Sequence, residues 1–170
     1  RGTGPLVLVG ANPSLVQRSD YENGLAPVVV KRLFRQLQRD YQVGLNTFLN
    51  LLCTAQEHEH NRADPAYQSV MAAEARPDRD VALATLACLQ AEDLRPAAAR
   101  IRVPTLIIHG ERDAICLCSG GCFLADTIPD AQALLLPDTG HMPFITRRES
   151  VAEAVLNFLA DSYQQVEQES

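Results

Sequence analysis

The sequence predicts an α/β fold with about three parallel strands, flanking helices and a long helical insert. Three observations carry this expectation. Short continuous apolar runs, Leu6–Ala11 and Val103–Gly110, end at Asn12-Pro13 and at Gly110-Glu111-Arg112-Asp113. Their length and branching suit strands buried on both faces, as in a parallel sheet. The stretch between them carries helical rather than alternating periodicity. After the second run the pattern is strand, helix, strand, helix, which implies parallel strands joined by right-handed crossovers.

The elements follow in order. Residues 6–11 form the first strand. Residues 27–53 read as helix, because Val30, Leu33, Phe34, Leu37, Tyr41, Leu45, Phe48, Leu49 and Leu52 recur at spacings of three and four. Gly44 weakens the middle of that stretch and is its candidate break. Glu57-His58-Glu59-His60-Asn61 is polar and reads as a solvated loop. Asp64-Pro65 predicts a helix start, with Asp64 as cap and Pro65 in the first turn. Arg76-Pro77-Asp78 ends that helix, and another covers 79–91. Residues 14–99 therefore read as an all-helical insert.

Residues 103–110 are the second strand, 119–127 a helix, and Ala131–Leu136 the third strand. Asp138-Thr139-Gly140-His141 is a turn. Val151, Val155, Phe158 and Leu159 mark a last helix, with Thr146 and Glu149 as a capping box. Residues 164–170 read as a frayed tail. No internal repeat or low-complexity segment occurs.

Composition narrows the function classes. The chain has 170 residues, of which 46% are hydrophobic and 21% charged, so a packed core is expected. Its net charge of −6 argues against nucleic acid and, more weakly, against an anionic membrane surface. No apolar run reaches the ~18 residues of a membrane span, and no signal-peptide pattern opens the chain. Five cysteines, Cys53, Cys88, Cys116, Cys118 and Cys122, form an odd set that suits a reducing cytoplasm better than a disulfide framework. The sequence opens at Arg1 with its first methionine at Met71, so it reads as processed, trimmed or part of a longer protein.

The chemistry is expected beyond the carboxyl ends of the strands. Asp113 follows the second strand and His141 the third. A carboxylate that accepts the histidine Nδ1–H fixes its tautomer, leaving Nε2 as base toward a hydroxyl nucleophile.

The run Val103–Phe144 resembles the C-terminal part of the α/β-hydrolase family. It has a strand, Gly110-Glu111-Arg112-Asp113, a helix, a strand, then Gly140-His141-Met142-Pro143-Phe144, with 28 residues from Asp113 to His141. Leu6–Pro13 resembles the strand before the family's helical lid, and Asp93-Leu94-Arg95 with Ile101–Pro104 resembles the return to the sheet. The resemblance covers nearly the whole chain and is similar to that of pimeloyl-carrier-protein methyl ester esterases. It implies that Asp113 is the acid and His141 the base of a Ser-Asp-His triad. Residues 1–13 would be the first strand and lead-in, 14–99 the lid, and 100–163 the C-terminal α/β part. Phe48 would contact the acyl group of a small ester substrate.

The family's nucleophile stands in a Gly-x-Ser-x-Gly elbow. No such motif occurs in these residues. The elbow and the oxyanion loop are expected ahead of the first strand, in a family domain of about 250 residues. Ser14, Ser119, Cys116, Cys118 and Cys122 stay open as internal nucleophiles, although none is held on such a turn. Cys116-x-Cys118-x-x-x-Cys122 lacks the spacing and fourth ligand of a structural zinc site. It also departs from the family's usual acid loop. No metal or cofactor is expected.

Two functions follow. The chain is the lid and acid–base part of a serine esterase, inactive alone. Alternatively it is a non-catalytic truncated hydrolase, an interaction or dimerisation module. Either way, the open edge of the first strand is expected to self-associate or to pair with a missing N-terminal segment.

Overall fold

The computed structural model describes residues 4–72 and 76–168. Three parallel strands form one sheet in the order β1 (Leu6–Val9), β2 (Thr105–Gly110), β3 (Ala131–Leu136). Leu6 lies opposite Thr105, and Thr105 opposite Ala131. Every residue of β2 is buried, as the continuous apolar run predicts for a central strand. β1 departs from that expectation: it is only half-buried, because β2 flanks it on one side and no strand lies on the other among the described residues.

Alternation along β2 divides the core. Leu106 and Ile108 face one side and pack with Leu136, Val151 and Phe158, which seats helix α9 (Arg148–Gln168). Ile107 faces the other side, against Leu124 and Ile128 of the α7 (Cys118–Thr127) region and Ala98 of α6 (Arg95–Ala98). Each buried aliphatic side chain contributes about 1.5–3 kcal/mol. The α9 helix runs through Gln168, so the frayed tail expected from residue 164 is helical over most of its length.

The insert is not all helical as expected: residues 14–26 carry isolated bridges between Val16 and Leu25 and between Arg18 and Tyr21, and its helices start at Pro27. The long helix is two, α1 (Pro27–Arg39) and α2 (Tyr41–Leu51). The break falls at Asp40, which is extended (φ −146°, ψ 98°) and accepts a hydrogen bond from the Val43 amide as the cap of α2. Gly44 lies inside α2 and serves the crossing: a Cβ there would stand 2.8 Å from the Leu37 backbone nitrogen.

The polar stretch expected as a loop is instead α3 (Ala55–His60), started by a capping box between Thr54 and Glu57. Asp64 caps α4 (Pro65–Met71) through the Ala66 and Tyr67 amides, as expected. The α5 helix (Arg79–Ala91) also lies where the sequence puts it. The capping box expected from Thr146 and Glu149 is absent. Thr146 ends a short helix, α8 (Pro143–Thr146), and its hydroxyl is taken by Glu57 and the Met142 carbonyl.

Arg95 ties the two ends of the insert together. It pairs with Asp93 at 2.7 Å and Asp20 at 3.0 Å, and its guanidinium lies 5.1 Å above the Tyr21 ring. The Leu94 amide donates to the Pro13 carbonyl at 2.8 Å. A third cluster, Leu52, Cys53, Tyr67, Met142 and Ile145, packs the insert onto the segment after β3. Among the described residues no helix is long and apolar enough to cross a membrane.

The end of β2 meets the loop after β3 with no room to spare. A Cβ on Gly110 would stand 2.2 Å from the Gly140 carbonyl oxygen and 2.3 Å from that of Thr139. Backbone cannot yield as a side-chain tip can. Gly110→Ala is expected to destabilise the fold by ~2 kcal/mol, the usual cost of overpacking. A lowered urea midpoint with an unchanged slope checks this.

Candidate active site

Asp113 sits in the loop that β2 delivers, and its carboxylate is enclosed. One oxygen accepts the Ile115 and Cys116 amides, each at 2.9 Å. The other accepts the His141 Nδ1–H at 2.7 Å and lies 3.3 Å from His109 Nε2. Burial alone would raise the Asp113 pKa. Hydrogen bonds from His109 and His141, the charge of His141 when protonated and the Ile115 amide outweigh it and hold the group at about 2. The cysteine-rich loop therefore keeps the acid in place, through its own amides.

His141 follows a tight turn in which Asp138 adopts φ 52°. Its amide donates to the Leu52 carbonyl at 2.8 Å, so the insert holds its backbone while Asp113 holds its ring. About a quarter of the side chain is exposed. Nε2 makes no hydrogen bond among the described residues and remains available toward the cleft that His141 lines.

That cleft has a volume of about 730 Å³. Apolar side chains of α1, α2 and α5 line one part of it, among them Leu33, Phe48, Leu51, Leu86 and Leu89. Its size falls in the ordinary range for small-molecule sites, ~300–1,000 Å³. Phe48 thus shares one cavity with His141, and it also packs against the Leu52–Met142 cluster.

The other sequence candidates do not assemble with His141. Ser14 lines the cleft, but its buried hydroxyl donates to the Val16 carbonyl and accepts from Arg18 Nε. Ser119 is exposed in the first turn of α7. Burial pushes the Cys116 thiol up to about 12 and the Cys118 thiol up to about 11, away from the reactive thiolate. Cys122 is half-buried on α7, and all five cysteines are free. Among the described residues no group of three metal-ligating side chains is placed to hold an ion.

His109 lies near the end of β2, four residues before Asp113. It is fully buried, and it donates from Nε2 to the Cys116 carbonyl at 2.7 Å while touching the acid. Its Nδ1 has no partner among the described residues, and a Cβ on Gly121 would stand 2.4 Å from it. The signal legible in the sequence was that position at the end of a buried strand. Glu57 was also missed, although Thr54-x-x-Glu57 is a legible capping box.

No family model matches the chain. A pimeloyl-acyl-carrier-protein methyl ester esterase of Xanthomonas campestris is 31% identical over 155 residues, 91% of this chain and 61% of the relative. One from Nitrosospira multiformis is 26% identical over 153 residues, 90% of this chain and 58% of the relative. Among solved structures, an esterase from Exiguobacterium antarcticum superposes with a TM-score of 0.81 at 25% identity, covering 92% of this chain and 57% of that one.

The chain has an α/β-hydrolase fold and is related to these esterases. An enol-lactonase from Burkholderia xenovorans, at 22% identity and a TM-score of 0.77, shares the fold alone. The chain spans 58–61% of the length of those two curated relatives. Within that span the Asp113–His141 pair has the geometry of acid and base.

The sign of the Asp113 contribution to stability is fixed by its lowered pKa. The contribution is full above the unfolded value of ~3.9 and is lost as pH falls toward about 2. It amounts to ~2 kcal/mol. Urea unfolding at pH 6 and pH 3 is expected to show a smaller loss of stability on acidification in Asp113→Asn than in the parent chain.

Proposed function

We propose that this chain forms the acid–base part and acyl pocket of a serine carboxylic ester hydrolase. The observation that carries it is the 2.7 Å contact of Asp113 with His141 Nδ1, with the Nε2 side of the ring free at an apolar cleft. The nucleophile in this reading is a serine on a Gly-x-Ser-x-Gly elbow outside these residues. His141 Nε2 takes the proton as the serine oxygen attacks the ester carbonyl. Asp113 stabilises the imidazolium that results. Collapse of the tetrahedral intermediate passes that proton to the leaving alcohol, and water then releases the acid by the same route.

Residues 14–99 act as the lid, and Phe48 with its apolar neighbours contacts a small or medium acyl chain. The relatives' names specify a carrier-protein ester, and one feature favours that class here. Although the chain is acidic overall, Lys31, Arg35 and Arg39 recur every fourth residue on the exposed side of α1, beside Arg32 at the cleft. Such a stripe suits an acidic carrier surface.

Two measurements test the reading. The chain alone is expected to hydrolyse p-nitrophenyl butyrate no faster than His141→Ala. Titration with methyl hexanoate is expected to shift the NMR signals of His141 and Phe48 together. Hydrolysis abolished by His141→Ala would instead place a nucleophile inside these residues, and an ester that leaves His141 unperturbed would remove the cleft from the site.

The interaction-module reading is favoured by the edge of β1, which has no strand partner among the described residues. Self-association through residues 5–11 is its expected consequence. Light scattering of the purified chain checks it, and a monodisperse monomer would exclude self-pairing.

A further inference from the structure

We propose that Glu57 is a positioning residue for His141, and that its buried carboxylate holds the histidine segment at both ends. This rests on reading His141 as the general base and adds the group that sets its backbone. An N3 glutamate in a capping box needs only to reach its cap amide and can stay in water. Glu57 does more. It is 5% exposed, and it forms no ion pair among the described residues. A buried carboxylate without a cation is costly unless hydrogen bonds replace its water.

Two of its three hydrogen bonds come from the segment that carries the base. One carboxylate oxygen accepts the Thr54 amide and the Gly140 amide, each at 2.8 Å. The other accepts the Thr146 hydroxyl at 2.6 Å. Gly140 and Thr146 are 83 and 89 residues away in sequence, and they bracket His141. The His141 amide itself donates to Leu52, just upstream of α3.

The fit leaves little play. A Cβ on Gly140 would stand 2.9 Å from the Leu52 oxygen and 3.0 Å from both Cys53 Cα and the Glu57 carboxylate. His141 is thus fixed between two carboxylates with different tasks. Asp113 accepts the hydrogen bond of the ring Nδ1–H, and Glu57 accepts those of the backbone segment on which the ring stands. Without Glu57, the Gly140 amide loses its acceptor, the Thr146 hydroxyl is left with the Met142 carbonyl at 3.2 Å, and the ring loses the register that brings Nδ1 to Asp113.

The test is NMR of the 170-residue chain labelled with ¹⁵N-histidine and uniformly with ¹⁵N. The parent is expected to show a slowly exchanging His141 Nδ1–H resonance, shifted downfield by Asp113, and a single ring tautomer. Glu57→Ala is expected to lose that resonance, to mix the tautomers, and to exchange the Gly140 amide about tenfold to a hundredfold faster, as loss of a charged acceptor implies. Glu57→Gln keeps one acceptor oxygen and should fall between.

Glu59→Ala, on the exposed side of the same helix, should leave all three readouts at parent values. If Glu57→Ala does not fold, Thr146→Val removes only the Thr146 contact to the carboxylate, leaving those of Thr54 and Gly140, and is expected to weaken the same resonance. A folded Glu57→Ala, or Thr146→Val in its place, with the parent's Nδ1–H signal and tautomer overturns the proposal. The readout needs no turnover, so failure of the esterase reading, seen in the ester titration, is distinguishable from failure of the clamp.

Discussion

The Asp113 carboxylate is the point on which the C-terminal half of the molecule converges. It is buried and ionised, and that combination is stable only because donors surround it. The amides of Ile115 and Cys116 fold the acid loop around one oxygen, while His141 and His109 approach the other. The first pair fixes the loop after β2, His141 fixes the loop after β3, and His109 belongs to β2 itself. One charge therefore sets the relative positions of a strand and two loops. The same contacts that stabilise the fold orient the imidazole, so stability and chemistry are not separable at this residue.

The insert contributes more than a roof over the cleft. Arg95, bound to Asp93 and Asp20, closes the neck where the insert leaves and rejoins the sheet. At its far side Leu52, Cys53 and Tyr67 pack with Met142 and Ile145, next to the histidine. The segment carrying His141 thus lies between sheet and insert and is bonded to both. The Leu52 carbonyl and the Glu57 carboxylate of the insert bond directly to the His141 and Gly140 amides.

Much of this was legible in the sequence, for identifiable reasons. Continuous apolar runs gave the strands, because a central parallel strand admits no polar face. The Asp-Pro start at residue 64 gave a helix boundary, because proline and caps act locally, whereas α4 ends at Met71, ahead of the Arg76-Pro77-Asp78 stop. The Asp113–His141 pair was readable because both residues follow strands whose ends must be neighbours. The break at Asp40 was missed because Gly44 looks weaker by propensity, whereas an extended residue with a capping side chain ends a helix more firmly. The α3 helix was read as loop because polarity was weighed above the Thr54–Glu57 box. Thr146 was assigned to a cap three residues from Glu149, but its hydroxyl serves a partner 89 residues away. Long-range contacts of that kind leave no trace in local spacing.

The half-burial of β1 follows from the same logic that makes β2 wholly buried. A parallel strand is apolar on both faces because helices cover them, and it is satisfied on both edges because strands flank it. Leu6–Val9 has the composition of such a strand and meets only half of those conditions among the described residues. The cleft tells a parallel story: Asp113, His141 and an apolar wall meet at a space in which Nε2 of His141 has no partner among the described residues. An imidazole held this firmly at Nδ1 by one carboxylate, on a backbone anchored by another, is organised toward a group that must approach from the open side. Among the described residues the outer edge of β1 and Nε2 of His141 are both without a partner, one on the sheet and one at the cleft.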